Sequence, residues 1–130
     1  FSPLGRGFLA GGVRNLEGLP VDDFRRGLPR FQRDNLNRNL VLVDRLAALA
    51  KEKGCTVAQL ALAWLLSRGP EIVPIPGTKH VRYLEENVKA ADLKLSRTDV
   101  QAMEQAVRPE DVVGERYSPS HTVLVDRGQQ

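Results

Sequence analysis

Leu36, Leu40, Val43, Ala47 and Ala50 recur at helical spacing, and Leu46 and Leu49 widen the same face. This pattern predicts a helix from about Leu36, with Asn35 as N-cap and Gly54 just past its end. A second helix opens on Thr56, with Gln59 three residues later as in a capping box. It stays apolar from Leu60 through Leu66 until Gly69-Pro70 stops it, and apolar residues on all sides predict deep burial. The run Ile72, Val73 and Ile75 predicts a strand whose ladder is restricted by Pro74 and Pro76. A third helix is expected over 81–90, with Val81, Leu84 and Val88 facing inward. Ser96 and Asp99 form a capping box for a fourth, with Leu95 and Val100 in staple positions and Val100, Met103 and Val107 as its apolar stripe.

The stretch 1–9 reads as the end of a strand running into a Gly-rich loop. Residues 10–34 read as a long loop with a short helical turn near 21–26, and connections of this length are often functional. Residues 111–130 read as a tail whose Val123-Leu124-Val125 docks onto the body. Helix, strand and helix in succession suggest a parallel α/β arrangement. Two strands make no stable parallel sheet, so the remaining strands are expected from elsewhere. The chain opens on Phe1 and its one methionine is Met103, which suggests a piece of a longer protein.

Composition narrows the function classes. With 130 residues and 42% hydrophobic content, the chain is of single-domain size. No apolar run is long enough for a membrane span, and the start does not resemble a signal peptide. The single Cys55 has no disulfide or metal-ligand companions, and a cytoplasmic location is expected. A net charge of +3 suits an anionic ligand without implying nucleic acid. Arg25, Arg26, Arg30, Arg33 and Arg38 cluster in one segment and read first as a solvated loop. Thr56-Val57-Ala58-Gln59-Leu60-Ala61 resembles the opening of a helix-turn-helix unit. The helix that would enter a groove, however, carries Leu62, Trp64, Leu65 and Leu66 and few base-reading side chains. Neither a nucleic-acid nor a membrane partner is expected.

Ile75-Pro76-Gly77-Thr78-Lys79, followed by Leu84-Glu85-Glu86-Asn87, carries the most chemistry. An apolar run ends at Pro-Gly, and a hydroxyl and a cation then precede a helix start, where amides and the helix dipole favour an anion such as phosphate. Ordinary turn and N-cap chemistry accounts for the same residues. Neither GxxxxGK[ST] nor a GxGxxG after a strand is present.

Ser2-Pro3-Leu4-Gly5-Arg6-Gly7 together with Ile75-Pro76-Gly77-Thr78-Lys79 and Leu84-Glu85-Glu86-Asn87 resembles the two cofactor loops of aldo-keto reductases. The resemblance covers nearly the whole chain, including the helix 58–66 and the Leu95-Ser96 entry to the last helix. It implies an α/β fold, the C-terminal part of a (β/α)8 TIM barrel. Phe1-Ser2 would be the exit of the seventh strand and 72–75 the eighth, with 1–34 the loop after strand seven and 111–130 the tail. It implies NADP(H) as cofactor and hydride transfer to an aldehyde or ketone. Ser2, Pro3, Leu4, Gly5 and Arg6 would line the pyrophosphate and nicotinamide-ribose side. Gly77, Thr78 and Lys79 would hold the adenosine 2′-phosphate, and Glu86 and Asn87 would contact the adenine. Tyr83 stands where many members carry Arg or Gln, and its ring can pack on the adenine. A 2′-phosphate needs fixed positive charge and N–H donors, whereas NAD would leave Lys79 without a partner.

The family's catalytic Tyr, Lys, Asp and His would all lie on strands outside this stretch. Tyr83, Tyr117, His80 and His121 match no catalytic motif, so the isolated chain is expected to be inactive and to fold poorly, its second helix exposing apolar surface. Arg6 and the long loop to Asp34 are expected to close over the cofactor as a clamp. The alternative is a non-catalytic relative that binds NADP as a sensor or accessory subunit.

Overall fold

Helix α1 (Arg33–Glu52) grows from the Leu36–Ala50 periodicity but begins earlier than the pattern predicts. The computed structural model describes residues 1–119, the side chain of Arg33 excepted; His121 and Val123-Leu124-Val125 lie outside the described residues. Gln32 is the N-cap residue without a side-chain bond, and Asn35 sits inside the first turn, its amide donating to the Pro29 carbonyl at 2.9 Å. Leu36, Asn39, Leu42, Val43, Leu46 and Ala50 are the buried side. Ala47, expected inward, is exposed, since none of the described residues covers its flank of the helix. At the other end Gly54 has φ +66°, Gly54 N–H reaches the Lys51 carbonyl and Cys55 N–H that of Ala50. That pair of bonds is the Schellman ending that a glycine permits.

Helix α2 (Val57–Leu66) carries the predicted capping box in full: Thr56 Oγ1 accepts from Gln59 N–H and Gln59 Oε1 from Thr56 N–H. Ala58, Leu60, Leu62 and Ala63 are buried, yet Leu66 is 40% exposed. Burial is therefore one-sided rather than complete, since α1 and α3 cover one flank. The helix stops at Ser67, whose hydroxyl donates to the Trp64 carbonyl at 2.7 Å.

No strand forms among the described residues, either at Phe1-Ser2 or at 72–75. A strand exists only through its ladder, and these segments find no partner here, with Pro74 and Pro76 removing two donors. Helix α3 (Val81–Lys89) turns its apolar stripe away from the rest of the chain: Val81 is 72% and Val88 62% exposed, and Leu84 is also exposed, contrary to the inward placement expected. Only its Glu86-Asn87 side leans on α2. A 3-10 turn, Ala90–Asp92, with Ala90 buried, leads toward α4 (Arg97–Ala106). The α4 capping box of Ser96 and Asp99 is present, and Lys53 Nζ reaches Asp99 at 2.6 Å, tying α4 to the end of α1.

Two apolar clusters result. Leu46, Ala50, Leu60 and Met103 join α1, α2 and α4. The other lies within 10–34: Val13, Leu19, Leu28 and Phe31 pack together under Phe8 and Leu16. The segment read as a slack loop thus builds a small core, with 3-10 turns at Phe24–Gly27 and Pro29–Phe31. Its arginines stitch it shut. Arg26 donates to the carbonyls of Leu16, Leu19 and Pro20, and Arg25 pairs with Asp23, so the solvated-loop reading does not hold for these two, while Arg38 is exposed. Among the described residues no helix is long and apolar enough to cross a membrane.

Candidate functional site

Ser2 through Gly7 form a tight turn in which four residues have left-handed backbone: Ser2 (φ 51°), Gly5 (58°), Arg6 (60°) and Gly7 (90°). For Ser2 and Arg6 this conformation is strained, and such strain collects where a loop must present its backbone to something. Bonds from Gly5 N–H to the Ser2 carbonyl and from Gly7 N–H to that of Leu4 hold it. Arg25 braces it from outside, donating to the Arg6 carbonyl at 3.1 Å; a Cβ on Gly7 would stand 3.2 Å from that guanidinium. Asp23 fixes Arg25 through two side-chain bonds, at 2.9 and 2.7 Å, and the side-chain bond from Arg25 holds the Asp23 carboxyl down at about 2.

The second loop is open. A Cβ on Gly77 would meet nothing within 4 Å, and Thr78 and Lys79 are exposed. Thr78 Oγ1 donates to the His80 carbonyl at 3.1 Å and accepts from His80 N–H at 3.4 Å. Lys79 makes no ion pair among the described residues. The α2 and α4 starts carry capping boxes, but no side chain caps α3. Of its first amides, that of Tyr83 reaches the His80 carbonyl at 3.0 Å, and those of Val81 and Arg82 stay available to an anion.

Beyond the turn, Arg82 lies 4.5 Å over the Tyr83 ring and donates to its hydroxyl at 2.7 Å, and His80 meets the same ring edge-on. Glu86 faces α2: its carboxylate accepts from Thr56 Oγ1 at 2.7 Å and its carbonyl from Gln59 Nε2 at 3.0 Å. Asn87 is half-buried beside it. Ser2, Pro3, Gly5 and Arg6 line a cavity of about 520 Å³ with Ile72, Val73 and Pro74. Leu4 and the second loop, from Gly77 to Asn87, do not line it.

A model of the aldo/keto reductase family matches residues 1–108. The chain belongs to that family. It is 46% identical over 119 residues to the NADP(+) aldo-keto reductase yakc of Schizosaccharomyces pombe, covering 92% of this chain and 35% of the relative. The aldo-keto reductase str7 of Strobilurus tenacellus is 39% identical over 97% of this chain and 38% of its own length. A probable aldo-keto reductase 1 of Glycine max is 44% identical over 90% and 34%. The chain thus spans just over a third of the length of these curated relatives.

Within this aldo/keto reductase chain the sequence reading missed several residues near the two loops. Arg82 is one, and its signal was adjacency to Tyr83. Asn39 is another: 3% exposed, it donates to the Val113 carbonyl and accepts from Val113 N–H, both at 2.8 Å. Three residues after Leu36 and four before Val43, it lies on the inward face of α1, where a polar side chain needs partners. Arg116, which lines the cavity with Arg6 and Arg30, was likewise not singled out, and Arg30 was named only as one of a cluster of arginines.

Proposed function

We propose that this chain is the coenzyme-binding C-terminal portion of an NADP(H)-dependent aldo-keto reductase built as a (β/α)8 barrel. The seventh and eighth strands would arise at Phe1-Ser2 and 72–75 once neighbouring strands supply ladders, and α3 would cover its apolar stripe against the same body. Residues 1–34 act as the loop after strand seven and 111–130 as the tail. The free thiol of Cys55 suits a reducing cytoplasm.

The donor set fits the coenzyme. Lys79, the Thr78 hydroxyl and the uncapped amides of α3 suit the adenosine 2′-phosphate, a dianion that calls for fixed charge and N–H donors. Gly77 leaves room for that group to approach the backbone. Tyr83 and Asn87, with the carboxylate of Glu86 shared with Thr56, suit the adenine. The strained turn Ser2-Pro3-Leu4-Gly5-Arg6, braced by Arg25, turns its backbone toward the pyrophosphate and nicotinamide ribose. The coenzyme, when bound, supplies hydride to the carbonyl carbon of an aldehyde or ketone. The residues here bind and orient it, and the catalytic groups lie outside this chain, which alone is inactive.

The observation that carries the reading is Lys79, without an ion pair among the described residues, just before an uncapped helix. Replacing it (Lys79→Met) in the full-length protein should weaken NADP+ at least tenfold while changing NAD+ affinity less than twofold. An unchanged preference for the phosphorylated coenzyme would refute the seat. Retained NADP+ binding without reduction of any aldehyde would favour the sensor or accessory reading instead.

A further inference from the structure

The two capping boxes use their spare donors differently. In the α4 box the Ser96 hydroxyl accepts from Asp99 N–H at 3.2 Å and donates to the Asp99 carboxylate at 2.7 Å, so its one proton stays inside the box. In the α2 box the Thr56 hydroxyl accepts from Gln59 N–H at 3.2 Å, but its proton goes to Glu86 Oε1 at 2.7 Å, 30 residues further on. The Gln59 amide is divided in the same way. Its oxygen serves Thr56 N–H at 3.1 Å, and its Nε2 donates to the Glu86 carbonyl at 3.0 Å. Both spare donors of the box therefore end on one residue of α3, one on its carboxylate and one on its backbone.

The bond to the carbonyl ties α3 to α2. The bond to the carboxylate does more: it fixes one oxygen and so sets where the other points. Among the described residues no hydrogen bond reaches Glu86 Oε2 or the Asn87 side-chain amide, and both residues are half-buried. An oxygen that only accepts, beside an amide that donates or accepts, suits a ring edge that carries an amino group next to a ring nitrogen. The two readers are not equivalent. The Asn87 amide can turn over to suit an oxo group in place of the amino group, whereas a carboxylate can only accept. Discrimination between the two bases falls to Glu86, and to whatever keeps its free oxygen aimed.

We propose that Thr56 is a positioning residue for the coenzyme's base: its hydroxyl, with Gln59 holding the Glu86 backbone, aims the free Glu86 oxygen at the 6-amino group of adenine, so that the base is selected as well as the 2′-phosphate. The assignment rests on the coenzyme reading above, yet its test is separable from it. Full-length protein is titrated calorimetrically at pH 7 with NADP+ and with its deamino analogue, in which hypoxanthine replaces adenine. The unaltered protein should bind NADP+ about tenfold tighter, because the analogue turns an oxo group toward an acceptor. Thr56→Val should bring that ratio to about two by weakening NADP+, with the analogue's affinity kept within about twofold. Thr56→Ser, which keeps the hydroxyl, should retain the ratio. Thr56→Asp keeps an acceptor for Gln59 N–H, and so caps α2, but sets a second carboxylate against Glu86. It should lose the ratio as the valine variant does while its thermal midpoint stays near the parent's, which guards against a folding defect.

Equal binding of NADP+ and its analogue by the unaltered protein overturns the proposal alone, since the phosphate seat would then act without any reading of the base. A Thr56→Val variant that weakens both by the same factor makes Thr56 a helix cap and nothing more, and overturns it too. So does a full ratio in Thr56→Asp, where the cap survives and the bond to Glu86 does not. Binding of neither coenzyme by the unaltered protein sinks the coenzyme reading and the positioning role together.

Discussion

Asn39 should be among the most sensitive polar positions in the chain. From the buried side of α1 it donates to the carbonyls of Val113 (2.8 Å) and Arg30 (3.3 Å) and accepts from Val113 N–H (2.8 Å). Its orientation is fixed, because only the oxygen can serve that N–H. Leucine has the same branched heavy-atom skeleton and none of these bonds. Asn39→Leu removes two good bonds and one long one, each contributing about 1 kcal/mol net, and leaves backbone groups buried without partners. Apolar gain offsets part of this, so the loss should be about 2–4 kcal/mol. Urea unfolding of the full-length protein, followed by circular dichroism, reads it as a lower midpoint at unchanged slope.

Asn39→Asp sharpens the argument. An ionised carboxylate keeps the acceptor for Val113 N–H but turns an oxygen toward two carbonyls, so its folded pKa must rise above the unfolded value of about 3.9. The variant should be nearest the parent below about pH 4 and lose stability as pH climbs through that raised value. A loss under about 0.5 kcal/mol for Asn39→Leu, or an Asp variant indifferent to pH, would refute the account.

Three further outcomes follow from the geometry. Thr56→Val removes the cap of α2 and the bond to Glu86, and should cost about 1 kcal/mol in thermal or urea unfolding; a neutral result would show that the helix start needs neither. Asp23 and Asp99 are both held at about 2 against a usual 3.8, by hydrogen bonds first to Arg25 and to Lys53 respectively. Their contribution is complete above about pH 3.8 and fades as pH falls toward 2, so the double change Asp23→Asn and Asp99→Asn should flatten acid unfolding in that window; an unchanged acid limb would count against it. Arg25→Met should release bound coenzyme roughly fivefold faster in stopped-flow fluorescence, the equivalent of one lost bond of about 1 kcal/mol, and an unaltered rate would dismiss the brace on the Gly-rich turn.

What could be read from the sequence was what neighbours in sequence decide. The capping boxes at Thr56-Gln59 and Ser96-Asp99 and the left-handed Gly54 depend on residues within one turn, and all three form. What depended on other chain segments was hidden. Val81, Leu84 and Val88 have the right period for an inward face, but period cannot say whether the covering surface is present. Strand 72–75 failed for the same reason. Val13, Leu19, Leu28 and Phe31 follow no repeat, so their small core gave no signal, and the arginines around it announced charge without naming the carbonyls they hold. The site divides likewise: both loops were visible as motifs, while Arg116 and Asn39 emerge only from where the fold sends them.

The spacing of Pro74 and Pro76 has a directional consequence. In a strand, residues two apart point their N–H groups to the same edge, so both prolines blank a single side while Val73 and Ile75 keep donors on the opposite one. The segment can be zipped fully along one flank only. That asymmetry dictates which neighbour must anchor it, and it denies the other flank to stray pairing while the chain is still finding its place.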